Sequence, residues 1–135
     1  MKKRLGKKMV MLLASATLLL GAVTYGKASC TVHGTLKTTV YPVSIIKDSA
    51  TAVTSVTNGG DSTKKVKAET TVYVYDSNGK CVQNSSSAQG AAAVEGTSAG
   101  AASASIYNMK RAKGIHRGKN GTVASYVSTN TYWNK

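Results

Sequence analysis

Residues 66–79 read Val66-Lys67-Ala68-Glu69-Thr70-Thr71-Val72-Tyr73-Val74-Tyr75-Asp76-Ser77-Asn78-Gly79. In an extended chain Val66, Ala68, Thr70, Val72 and Val74 share one side. Lys65, Lys67, Glu69, Thr71, Tyr73 and Tyr75 share the other. That period of two belongs to a half-buried strand and does not suit a helical face. Asp76-Ser77-Asn78-Gly79 then supplies a tight turn, because Asn-Gly accepts the positive φ of a two-residue hairpin loop. The returning strand is placed at residues 80–84, with Cys81 in it.

The same reading extends in both directions. Val32, Gly34, Leu36, Thr38 and Val40 alternate with His33, Thr35, Lys37 and Thr39, and the pattern stops at Tyr41-Pro42. Pro42, the only proline, fits a strand end, where its missing donor costs little. Residues 43–46 read as a short continuation or a corner. Residues 50–57 form a second run and lead into the turn cluster Asn58-Gly59-Gly60-Asp61. Three further strands are expected at 103–109, 112–119 and 121–129, with Asn120-Gly121 as the last hairpin turn. Residues 85–105 hold 17 Ala, Ser or Gly in 21 positions. Such a stretch suits a linker or two strands whose backbones come close, and strands are the reading adopted. The chain is therefore expected to be all-β, a small antiparallel β-sandwich or small barrel of about six to eight short strands.

The first 28 residues have a different character. Lys2, Lys3, Arg4, Lys7 and Lys8 precede the apolar-rich run 9–23, and Tyr25-Gly26-Lys27-Ala28 follows with small residues before Ser29. This is the layout of a cleaved secretory signal peptide, and the run is short for a membrane span. Residues 1–28 are read as that signal and 29–135 as a single secreted β-domain. Six of the eighteen Lys and Arg lie in 1–28, so the remainder holds twelve against five acids, a charge of +7. Its core is thin. It has no Phe, one Leu, four Ile and twelve Val, or 17 large aliphatics in 107 residues. That lies below the roughly 20% at which charged chains begin to look disordered. The β-branched richness and strict alternation argue for a folded domain of modest stability.

Cys30 and Cys81 are the only cysteines. In an exported domain a disulfide between them is the expectation, closing a loop of about fifty residues and contributing roughly 4 kcal/mol. A second reading makes Cys30 a lipidated N-terminus after Ala28-Ser29, although Lys27 departs from the usual processing pattern.

The most distinctive local feature is Lys110-Arg111-Ala112-Lys113-Gly114-Ile115-His116-Arg117-Gly118-Lys119, in a region without an acid from residue 96 to the C-terminus. As a strand it places Arg111, Lys113, Arg117 and Lys119 on one face around Ile115. Ala112, Gly114, His116 and Gly118 face the other way. A linear row of cations suits a polyanion. The plainer reading is ordinary solvated charge that serves solubility or protects a sheet edge from aggregation. Tyr107, Tyr126, Tyr132 and Trp133 lie near enough in sequence to add stacking contacts to the row, but in a chain that lacks Phe they are expected in the core and its rim.

Catalytic and metal chemistry find no support in the pattern. His33, His116 and the two cysteines lack metal-ligand spacing, no nucleophile elbow or phosphate-cradling loop is present, and the acids are scattered. No cofactor, no metal and no enzymatic activity are expected. The layout resembles small exported β-proteins of Gram-positive bacteria, bacteriocin-like ones among them. The function expected is non-enzymatic binding of an anionic cell-surface polymer or membrane through Arg111, Lys113, Arg117 and Lys119. An antibacterial, bacteriocin-like protein or toxin is the alternative. An exported chain is not expected to meet nucleic acid.

Overall fold

A computed structural model describes residues 14–24, 30–58, 65–90, 97–120 and 126–135. The described residues form eight strands and no helix: β1 (Ala14–Thr24), β2 (Cys30–Val40), β3 (Asp48–Asn58), β4 (Val66–Asp76), β5 (Cys81–Gln89), β6 (Thr97–Ile106), β7 (Met109–Asn120) and β8 (Val127–Asn134). They make two four-stranded antiparallel sheets, ordered β1-β2-β3-β6 and β5-β4-β7-β8. β3 lies across from β4 and β7, and β6 across from β4 and β5. Two separate sheets facing one another make the fold a sandwich, not a barrel.

β4 and its turn follow the sequence closely. The face Val66, Ala68, Thr70, Val72 and Val74 is buried. The turn after it is held by Asp76, whose Oδ1 accepts the N–H groups of Asn78 and Lys80 at 2.8 and 2.9 Å. Gly79 takes a φ of 78°. The small-residue stretch forms two strands, β5 and β6, in opposite sheets, with residues 91–96 outside the description. Gly100 on β6 explains the composition. A Cβ there would lie 3.1 Å from Thr70 Oγ1 and 3.5 Å from Ser86 Oγ, so the sheets approach too closely for larger side chains.

Two details differ from expectation. Strand β6 stops at Ile106, because Tyr107-Asn108 makes a tight turn with Asn108 at a φ of 54°. Asn is among the few residues that adopt this conformation readily. Strand β8 begins at Val127, several residues later than expected, which puts Tyr132 and Trp133 inside it. Residues 43–46 belong to a loop, which matches the corner and not the strand continuation. The turns predicted at 59–61 and after Asn120, and the cleavage site at 25–29, lie outside the described residues. The segment expected to carry the apolar part of the signal, Ala14–Thr24, runs antiparallel along β2, with Ala14 opposite Val40 and Thr24 opposite Thr31.

The core has two apolar clusters. Leu36, Val40, Val72, Val74, Ile106 and Met109 anchor one, with Val82 and Trp133 packed against it. Cys30, Val32, Val56, Val66, Ala68 and Val127 form the other. Between them runs a polar layer, one rung from each sheet. Gly34, Thr54 and Gly100 face the rung of Ser86, Thr70, His116 and Thr129. His116 is fully buried. Its Nδ1 lies 2.9 Å from Thr54 Oγ1 and its Nε2 2.8 Å from Thr131 Oγ1. The Thr70 hydroxyl lies within donating distance of Thr54 Oγ1 and the Gly100 carbonyl, at 2.7 and 2.8 Å. Both ring nitrogens are thus satisfied by neutral groups, and burial lowers the His116 pKa from 6.5 to about 4.

Two outcomes test this layer. A Cβ at Gly34 would overlap the His116 ring. Gly34→Ala is therefore expected to lower unfolding stability by about 3 kcal/mol, read as a shift in the urea midpoint. His116 binds its proton more weakly folded than unfolded, so its neutral form stabilises the fold above pH 6.5. That contribution falls away as pH drops from 6.5 towards 4. Thermal midpoints measured across this window are expected to decline in the wild type and to run flatter in His116→Gln.

Candidate functional site

The outer face of the second sheet gathers most of the expected binding residues. Alternation along β7 is as predicted: Ala112, Gly114, His116 and Gly118 are buried, while Arg111, Lys113, Ile115, Arg117 and Lys119 point outward. Gly118 is needed for the inward packing, because a Cβ there would lie 2.6 Å from Val56 Cγ2 and 2.7 Å from Val32 Cγ2. The four cations therefore stand in one row. The edge-strand reading of these charges fails, since β7 is an inner strand paired to β4 on one side and β8 on the other.

The pairing register surrounds the row with tyrosines. Tyr75 lies opposite Arg111 and Tyr73 opposite Lys113 on β4, and Tyr132 lies opposite Lys113 on β8. The Arg111 guanidinium sits 4.2 Å over the Tyr75 ring, and the Arg117 guanidinium 4.2 Å over the Tyr126 ring. Lys113 approaches Tyr132 at 5.6 Å and Lys119 approaches Tyr126 at 5.1 Å. Tyr73 and Tyr75 stack with centroids 6.5 Å apart. These contacts correct the expectation for the aromatics. Trp133 does pack against the core, but Tyr107 and Tyr132 are exposed, and Tyr126 lies beneath cations. A guanidinium resting on a ring is restrained on one side and keeps its N–H edge for an anion.

One carboxylate interrupts the field. Glu69 contacts Lys67 at 2.9 Å and Arg117 at 3.6 Å, and Tyr126 donates its hydroxyl to Oε1 at 2.9 Å. Partial burial pushes the Glu69 carboxyl upward. Hydrogen bonds from Lys67 and Tyr126, with the charges of Lys67 and Arg117, outweigh it and hold the pKa below its ordinary value. Lys67 is raised in return, chiefly by its hydrogen bond to Glu69. Beside Glu69 a shallow hollow is lined by Thr71, Ser85, Ser86 and Ser87. On the outward faces of β4 and β7, Lys67, Arg111, Lys113, Arg117 and Lys119 thus stand against the single acid Glu69. The arrangement presents a row of cations with one paired carboxylate beside it.

The expected disulfide is not formed. Cys30 is buried at the start of β2, in the cluster with Val66. Cys81 is exposed at the start of β5, opposite Tyr75. The nine residue steps from Val66 to Tyr75 along β4 cover about 30 Å, whereas a bridge needs Cα atoms roughly 4.4–6.8 Å apart. The cysteines lie at opposite ends of the sandwich. His33, on the outer side of β2, and His116, in the core, are also apart, and no group of three metal-ligating side chains gathers among the described residues.

No family model, curated protein or solved structure matches the chain.

Alkylation of the native protein without reductant is expected to modify Cys81 and spare Cys30, with both modified after denaturation. Intact mass resolves the two products. Blocking of both thiols until reduction would contradict the separation described above.

Proposed function

We propose that the protein is a small, basic, exported, non-enzymatic β-sandwich that binds an anionic polymer of the cell envelope. Arg111, Lys113, Arg117 and Lys119 provide the contact, oriented by Tyr75, Tyr126 and Tyr132. The observation that carries this reading is the position of the row on an inner strand. Charges there guard no exposed sheet edge, yet five cations on two adjacent strands face one carboxylate. Two cation pairs, each spaced about 6.6 Å along the strand and separated by about 13 Å across Ile115, match the repeated charges of a polyanion better than they match a small ligand. The tyrosines support the reading because stacked cations lose less freedom when an anion docks.

Polyphosphate serves as a defined probe. Binding to the wild type is expected to weaken steeply as salt rises, because the contact displaces counterions. A variant with Arg111, Lys113, Arg117 and Lys119 all changed to Glu is expected to bind about a hundredfold more weakly at low salt. Its circular dichroism should match the wild type, since all four side chains point outward. Equal affinity in a folded variant would overturn the assignment.

A further inference from the structure

The described end of the sandwich carries a second surface of different chemistry. Asp48 pairs with Ile106 and Asp76 with Met109, which brings the loop 41–47, the turn at 77–80 and the turn at 107–108 to the same end. The C-terminus joins them through the Lys135 N–H, which bonds the Lys110 carbonyl at 2.9 Å. At the crest of the first loop Ile45 is 83% exposed and its neighbour Ile46 is 40% exposed. Tyr107, also exposed, stands beside them with the Lys47 ammonium 5.3 Å over its ring. Lys80, Lys110 and Lys135 are exposed on the same end.

Two facts set this tip apart from ordinary scattered apolar exposure. The first is scarcity. Residues 29–135 contain four isoleucines and one leucine. Two of those isoleucines are adjacent on a loop while the core is filled with Ala, Val, Thr and Gly. The second is order. Asp48 is buried and its carboxylate holds both sides of the tip: Oδ1 accepts the Tyr41 N–H and Oδ2 the Met109 N–H, each at 2.8 Å. The isoleucines are therefore presented by a pinned loop. The same bonds occupy Asp48, and Asp76 is occupied by the N–H groups of Asn78 and Lys80. Against the four lysines these turns carry one half-exposed carboxylate, Asp76.

From this geometry we infer that the tip docks into an anionic lipid bilayer, with Ile45 and Ile46 at the acyl boundary, Tyr107 at headgroup level and Lys47, Lys80, Lys110 and Lys135 on lipid phosphates. A partner for this surface has to be apolar at its centre and negative around it, which is the profile of an anionic membrane interface. A second copy is a poor fit, because joining two tips through their isoleucines brings two sets of lysines together. The inference goes beyond the polymer-binding face and does not depend on it.

The test uses the full chain and co-flotation with phosphatidylcholine vesicles, with and without phosphatidylglycerol. The wild type is expected to float with the phosphatidylglycerol vesicles and little with the neutral ones. Ile45→Ser with Ile46→Ser should lower that partition by roughly tenfold or more, since two exposed aliphatic side chains no longer enter the interface. Polyphosphate binding by this double variant should stay at the wild-type level. Ile46→Trp is expected to add a blue-shifted emission component on the same vesicles. Undiminished flotation of the double serine variant would overturn the inference, as would equal binding to neutral vesicles. A lipid-free dimer that the serine changes convert to monomer would also overturn it, in favour of a second copy. Flotation lost only when Arg111, Lys113, Arg117 and Lys119 are reversed would assign the membrane to the sheet face and reject the tip.

Discussion

A buried imidazole sets the relation between the two sheets. His116 projects from β7 across the interlayer to Thr54 on the opposite sheet, and its ring occupies space left open by the missing side chain of Gly34. Slipping β7 by one residue would turn His116 to solvent and bring Ile115 or Arg117 inward. Such a slip would also carry Arg111, Lys113, Arg117 and Lys119 into the interlayer, where an unpaired buried charge costs far more than a misplaced methyl group. The cation row exists on the outside because His116 is fixed on the inside. Cation row and core are two sides of one register.

The sandwich is built with little bulk. Its interior relies on Val, Ala and Thr, with one fully buried Leu and one fully buried Met among the described residues. Small side chains let the sheets come close at Gly100 and Gly118, and dispersion contacts across that short distance replace the burial a Phe-rich core would supply. Threonine is well suited to this role. It is β-branched, as strands favour, and its hydroxyl joins the His116 network. With no bridge between Cys30 and Cys81, cohesion rests on packing, ladder hydrogen bonds and this network.

Much of the strand content could be read from residue order alone, because a period of two is a local signal. β2, β3, β4 and the inward and outward sides of β7 were legible in this way, as was the turn at Asn78-Gly79. The order of strands in the sheets was not, since it depends on pairings between segments far apart in the chain. From residues 110–119 alone an edge strand and an inner strand look the same, and only the flanking of β7 by β4 and β8 separates them. Tyr132 was misplaced for the same reason: it meets Lys113 across a ladder that joins positions 19 residues apart. The cysteine pairing was inferred from compartment and number, and neither carries information about which end of the sandwich a residue occupies. Tyr107-Asn108 was missed because Asn without a following Gly is a weak turn signal.

The polar layer has a consequence for how stability varies with temperature. Exposure of apolar surface raises the heat capacity on unfolding, and exposure of peptide and hydroxyl groups lowers it. A core in which Thr54, Thr70, Thr131 and the backbone at Gly34 and Gly100 occupy the middle rungs exposes less of the first and more of the second than an aliphatic core of equal size. The heat-capacity increment per residue is accordingly expected to be smaller than for an aliphatic core of equal size, and the free-energy curve against temperature shallower, so that whatever stability the domain has changes less between cold and warm.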